Sequence, residues 1–183
     1  LLNETPVQDN EVVAIIRMGT DLTRNFYQIE LPLSPTAFGT SSPDLIWPDV
    51  NQLKLPLEVL QTVKATFFNG EFNTLLDEVT YFDQDGNVIA DPASTPYESG
   101  SVRVGIQGNP SFGDVRVLML GLKNGNDEGL STVCAEAWFN ELRLSGLQNQ
   151  GGWAGIINMD ANLADFATVS GTARQSTVGF GSI

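Results

Sequence analysis

WAGIINMDANLADFATVSGTAR, residues 153–174, alternates in character for more than twenty positions. Odd positions carry Trp153, Gly155, Ile157, Met159, Ala161 and Leu163, then Asp165, Ala167, Val169, Gly171 and Ala173. From Asn158 the even positions carry Asn158, Asp160 and Asn162, then Ala164, Phe166, Thr168, Ser170, Thr172 and Arg174. A strand sends successive side chains to opposite faces, so one face is small and apolar and the other mostly polar. That is the pattern of a wall between lipid and water.

Trp153 to Leu163 would span roughly 35 Å as a strand, enough for a tilted membrane crossing, with Trp153 at the interfacial end. Asp165 interrupts the apolar face. Either the chain turns around Ala164, Asp165 and Phe166 and returns through Ala167 to Ala173, or one long strand emerges from lipid there. Two strands cannot close a barrel, and an open edge in lipid is forbidden, so further strands must come from elsewhere. Ordinary solvent-exposed strands of a soluble domain are the competing reading of the same residues.

Upstream of Gly151 and Gly152 the pattern changes. Val12–Ile16 is a β-branched run, and NFYQIELPL (25–33) reads as a strand stopped by Pro32 and Pro35. A proline- and serine-rich loop follows, with Trp47 as an aromatic anchor on the surface. From Pro56 to Phe68 the apolar spacing becomes three and four: Leu57, Leu60, Val63 or Lys64, and Phe67. This predicts one amphipathic helix covering one end of a sheet. Leu75–Phe82 and Val88–Ala90 flank Asp83-Gln84-Asp85-Gly86-Asn87. The loop starts like a calcium site, but its glycine and its twelfth position, Ser94, are wrong for one, so it reads as a hairpin turn. SVRVGIQG (101–108) alternates as a strand, and VRVLMLGLKN (115–124) is the most hydrophobic segment, expected at a sheet centre. CAEAWFNELRLSG (134–146) alternates again, with a change of face near Asn140 that a bulge would explain. Cys134 is alone and is expected to be a small buried hydrophobe.

These pieces predict an all-β architecture: residues 1–149 as a soluble antiparallel β-sandwich, jelly-roll-like, with one short helix, and residues 150–183 as the start of a transmembrane β-barrel segment. No apolar run approaches the roughly 20 residues of a membrane helix. The absence of an initiator methionine and the abrupt end in VGFGSI suggest a piece of a longer protein.

Nine basic against 22 acidic residues give a formal charge of −13, which argues against nucleic acid as a partner. With no histidine, a His-based triad, a His metal site and an imidazole base are excluded. The carboxylates, Glu30, Glu136 and Glu141 among them, read as solvated acidic surface. The sequence therefore predicts no catalytic, cofactor-binding or metal-binding residues and no cofactor. A carbohydrate-binding sandwich using Trp47, Tyr81 or Tyr97 to stack a sugar is the alternative function.

NFYQIELPL, IWPDVNQLKLPLEVL, GNPSFGDVRVLMLGLKN, EAWFNELRLSG, GGWAGIINMDANLADFATVSG and GFGSI occur in an order that resembles the SprA/Sov family, outer-membrane translocons of the Bacteroidetes type IX secretion system. The resemblance covers most of the chain from about residue 25. It implies a non-enzymatic slice of a very large barrel through which folded cargo is exported, with roles in gliding motility. Its implied partners are the remainder of the parent barrel chain, secreted cargo proteins, accessory proteins of the secretion system and outer-membrane lipid. Its implied location is the cell outer membrane. Trp138, Asn140, Glu141, Leu142 and Arg143 match the NELR-type strand, Gly151, Gly152, Trp153 and Ala154 the GGWA junction, and Leu163 to Phe166, including Asp165, the LADF segment. On this resemblance they are structural, locking an inserted domain against the barrel wall. The truncated end and Cys134 depart from the family pattern.

Overall fold

The computed structural model of the protein describes residues 6–70, 77–125, 133–143, 153–163 and 166–176. The chain divides into two compact units, Leu1–Glu136 and Ala137–Ile183.

The first unit is built on one antiparallel sheet. In chain order its strands are β1 (Val12–Gly19), β2 (Phe26–Leu33), β3 (Thr80–Phe82), β4 (Arg103–Gln107) and β5 (Val117–Asn124). They lie in the order β3-β4-β2-β1-β5. β2 sits at the centre because its whole run from Phe26 to Pro32 is buried. Pro32 pairs with Val13 inside β2 instead of ending it. The cost is low because β4 extends along β2 only as far as the Glu30↔Arg103 pair, so no ladder bond is lost on that side.

Register separates the sheet into two chemically different faces. Ile16↔Ile29 and Tyr27↔Ile106 stack apolar side chains on one face, while Arg17↔Gln28 and Glu30↔Arg103 stack polar ones on the other. The apolar face is covered by a helix. Among the described residues this unit has two α-helices, α1 (Pro43–Ile46) and α2 (Leu57–Asn69). α2 follows the predicted spacing within one residue at each end, and the Gly70 amide closes it on the Thr66 carbonyl at 3.0 Å. Leu60, Val63 and Phe67 are its buried stripe and pack with Tyr27, Ile29, Leu31, Phe82, Val104 and Ile106. Burying each such side chain is worth about 1.5–3 kcal/mol. α2 thus lies on the face of the sheet, not at its end as expected.

The expected sandwich is corrected by this arrangement. The antiparallel sheet is present, but the layer opposite it is α2, whose apolar stripe fills the space where a second sheet was expected. β5 is likewise corrected, from a central strand to an edge strand: among the described residues it pairs with β1 alone. Its hydrophobicity resides in Leu118, Leu120 and Leu122, which point to the helix side yet stay exposed. The segment 134–146 is corrected too, because residues 133–143 form no strand. Glu141 has φ of 50°, which an extended run does not tolerate. Cys134 is exposed instead of buried.

The turn after β3 is the expected hairpin, with Phe82 bridged to Val88. Gly86 has φ of 85°, a conformation that only glycine adopts freely. Asp83 accepts from the Asp85 and Asn87 amides and from Asn87 Nδ2, each at 2.9 Å, so both carboxylate oxygens serve the turn. Burial pushes the Asp83 pKa up, but these hydrogen bonds together with that of Gly86 outweigh it and hold the group below its ordinary value.

The second unit contains β6 (Ala154–Leu163) and β7 (Ala167–Ser176), paired antiparallel. The chain therefore turns between Leu163 and Ala167, which form the last pair of the ladder. No barrel closure is seen among the described residues, and no helix among them is long and apolar enough to cross a membrane.

Candidate functional site

The β6–β7 hairpin keeps the alternation of the sequence across both strands. Its register pairs Ile157 with Ala173, Met159 with Gly171 and Ala161 with Val169, all on one face. The other face pairs Ile156 with Arg174, Asn158 with Thr172, Asp160 with Ser170 and Asn162 with Thr168. Directly opposed residues share a face, so from Ile157 to Asn162 the ladder joins apolar to apolar and polar to polar, while nearer its open end Ile156 faces Arg174 and Gly155 faces Gln175. Ile157 is 71 % exposed, Met159 58 % and Val169 47 %, so among the described residues of this unit the apolar face is left open. Each strand has ten residues, the length that crosses a bilayer when tilted. Trp153 flanks the start of β6 and is 57 % exposed, and Phe166 precedes β7 at 91 %.

The other family-matched residues do not gather into one site. Trp138, Asn140, Glu141 and Arg143 are exposed, and Arg143 Nη1 lies 3.7 Å from the Glu141 carboxylate. That contact is local and exposed, of the kind worth little in water. Gly151, Gly152 and Asp165 lie outside the described residues.

Sequence reading missed a buried charge. Glu30, expected on solvated surface, has a side chain that is 0 % exposed on the polar face of the sheet. Tyr97 Oη donates to Glu30 Oε2 at 2.5 Å, and Tyr81 Oη donates to Oε1 at 3.1 Å. Gln28 Nε2 donates to Oε1 at 2.5 Å, and Lys123 Nζ reaches the carboxylate at 3.2 Å. Arg17 in turn donates from Nε to Gln28 Oε1 at 2.9 Å. The Arg103 guanidinium lies 3.9 Å over the Tyr97 ring and donates to the carbonyls of Pro92, Thr95 and Pro96. This ties the loop after Ile89 down on the sheet. Burial first, and then the Glu30 carboxylate, raise the Tyr97 pKa well above its ordinary value, so the phenol stays a donor.

The same geometry bears on sugar binding. Tyr81 and Tyr97 spend their hydroxyls on Glu30, and the Tyr97 ring already carries Arg103 at 3.9 Å and Lys123 at 5.1 Å. The Tyr97 ring is therefore not an open stacking platform.

On the opposite face of the sheet a second polar group is left over. Tyr27 is 0 % exposed, its ring stacks on Phe112 at 4.9 Å, and its hydroxyl has no hydrogen-bond partner. Burial pushes its pKa up to about 12. An unpaired buried hydroxyl costs about 1–3 kcal/mol. Tyr27→Phe keeps the ring and removes the unpaired group, so it is expected to stabilise the protein by about 1 kcal/mol. A higher midpoint of urea unfolding checks this; a lower midpoint would mean that the hydroxyl is bonded in solution.

A family model described as SprA_N, motility related/secretion protein, matches residues 2–183 of the chain. No curated protein matches it.

Proposed function

The chain belongs to the SprA_N family of motility-related and secretion proteins, and from that premise we propose that its β6–β7 hairpin is part of the wall of a protein-conducting outer-membrane channel. Its role lies in type IX secretion and gliding motility, within a larger secretion complex, and is not catalytic. The finer reading is a division of labour: residues 1–149 form a water-soluble domain, and residues 150–183 open a barrel segment completed by strands of a longer chain. The cargo is folded protein in transit, and the surrounding medium of the hairpin is outer-membrane lipid.

The observation that carries this reading is the register of the hairpin, which from residue 157 to 162 and along the residues paired with them puts apolar side chains on one face and polar ones on the other. A soluble hairpin with Ile157, Met159 and Val169 in water would be costly to keep, at about 25 cal/mol per Å² of apolar surface left exposed. Lipid removes that cost.

A barrel also answers the hairpin's open edges. In a free two-stranded hairpin about half of the amides in each strand point away from the partner and stay with water. In a closed wall every one is paired. Hydrogen–deuterium exchange of the full-length protein in membranes is therefore expected to show continuous protection over 154–163 and 167–176. Protection at alternate amides only would describe an isolated hairpin and contradict the proposal.

A further inference from the structure

Among the described residues β5 pairs with β1 alone, in the antiparallel register Val12↔Asn124 to Gly19↔Val117. The Gly125 amide donates to the Glu11 carbonyl at 2.8 Å, one step beyond the Val12↔Asn124 pair. That contact fixes the phase of the ladder, because hydrogen-bonded pairs alternate along an antiparallel pair of strands. The backbone groups of residues 119, 121 and 123 therefore turn to β1, and those of Leu118, Leu120 and Leu122 turn away from it. The side chains of the same three leucines share the apolar face of the sheet with Ile16 and Ile29, and are 50 %, 40 % and 42 % exposed.

Proteins blunt an open edge with short strands, proline, or charges placed in the apolar row. At the other edge, β3 is three residues long and Phe82 is bridged to Val88. β5 runs for eight residues without proline, and its one charge, Lys123, turns to Glu30 on the opposite face. Leucines beside outward amides suit neither water nor hydrocarbon: water leaves the side chains uncovered, and lipid leaves the backbone unsatisfied. Another extended backbone answers both, since its donors and acceptors match the edge while every second side chain covers a leucine.

We propose that β5 receives an extended segment of another protein as an added antiparallel strand, with apolar side chains at alternate positions against Leu118, Leu120 and Leu122. A net charge of −13 on each copy keeps copies of this chain apart, which leaves a different polypeptide as the partner. β1 and β5 carry Arg17 and Lys123 and no carboxylate, so acidic residues between the apolar ones of the incoming strand meet no like charge on these two strands.

The probe is a blocked eight-residue peptide in which leucine alternates with threonine and glutamate, added to the 183-residue chain and read by NMR amide hydrogen exchange. At saturation, exchange at Leu118, Leu120 and Leu122 is expected to slow about tenfold or more, while residues 119, 121 and 123, already turned to β1, change little. In the antiparallel pairing the leucine amides of the peptide face β5. N-methylation of those leucines should abolish binding, and N-methylation of the intervening residues should leave it intact. Leu120→Lys, at an exposed position, sets a charge in the apolar row and should weaken binding about tenfold or more.

Unchanged exchange at the three amides would overturn the proposal. So would equal binding by a peptide of the same composition with its leucines in one block, or by the leucine-methylated peptide, since either marks adhesion to the apolar face without strand pairing. Slow exchange at the three amides in the chain alone would mean that the edge is already covered: by a second copy if the effect grows with protein concentration, by the chain itself if it does not. Both results overturn the assignment to another protein.

Discussion

Glu30→Ala is expected to cost the sheet unit about 3–5 kcal/mol, the range for removing one partner of a buried ion pair. The alanine leaves the Lys123 ammonium, the Tyr81 and Tyr97 hydroxyls and the Gln28 amide without the carboxylate that receives all four. Each lost acceptor strands a group that water does not reach freely, and Gln28 is itself buried. Domains of this size are held by about 5–15 kcal/mol, so the loss is a large share of the total. The loop after Ile89 should loosen first, since Tyr97 is what links it to Glu30 while Arg103 holds it from below. Urea unfolding followed by far-UV circular dichroism reads the stability, and limited proteolysis between residues 90 and 101 reads the loop. Glu30→Gln keeps the shape and two of the acceptor contacts and should cost less. A Glu30→Ala protein within about 1 kcal/mol of wild type would show that the carboxylate is not the hub of this face.

Met159→Arg in the full-length protein is expected to be the most damaging single change in the hairpin. Met159 lies near the middle of β6, on the face shared with Ile157, Ala161 and Val169. An arginine facing lipid at that depth costs about 2–4 kcal/mol, and less toward the interfaces. Asn158→Arg, one residue away, turns to the polar face and should be close to neutral. The readout is the amount of folded protein in the outer-membrane fraction together with export of cargo. Equal damage from both substitutions would point to a general sensitivity of the strand; equal tolerance would place neither face against lipid.

How much of this was legible from residues depends on how local the cause is. α2 was visible because Leu60, Val63 and Phe67 return at the helical period and bury on one side. The faces of β6 and β7 were visible for the same reason, at period two. Whether residues 153–174 made one strand or a hairpin was not, since parity is the same in both; the Leu163↔Ala167 pair decides it. Strand order was also out of reach. VRVLMLGLKN looked central because hydrophobic content suggests burial, yet Leu118, Leu120 and Leu122 lie on an edge strand, and β2 takes the centre.

Glu30 is the most instructive miss. Gln28 and Glu30 alternate with Tyr27, Ile29 and Leu31, which is how a strand with one wet face reads. The polar face is instead roofed by Tyr97 and the loop before β4, partners 51 to 93 residues away in sequence. No local pattern announces such a partner. The one available hint was composition: a tyrosine-bearing loop and Lys123, the single charged residue of β5, each a match for a buried carboxylate. The 134–146 segment failed in the other direction, because its alternation was real in sequence while Glu141 takes a left-handed conformation.

Single cysteines placed in turn from residue 156 to 162, in a full-length protein with Cys134 replaced by serine, test the central claim most directly. In intact outer membranes, positions 157, 159 and 161 should resist a water-soluble maleimide and accept a membrane-partitioning one, while 156, 158, 160 and 162 should react with the water-soluble reagent. Uniform reaction with the water-soluble reagent at all seven positions would put both faces of the hairpin in water and contradict its assignment to a channel wall.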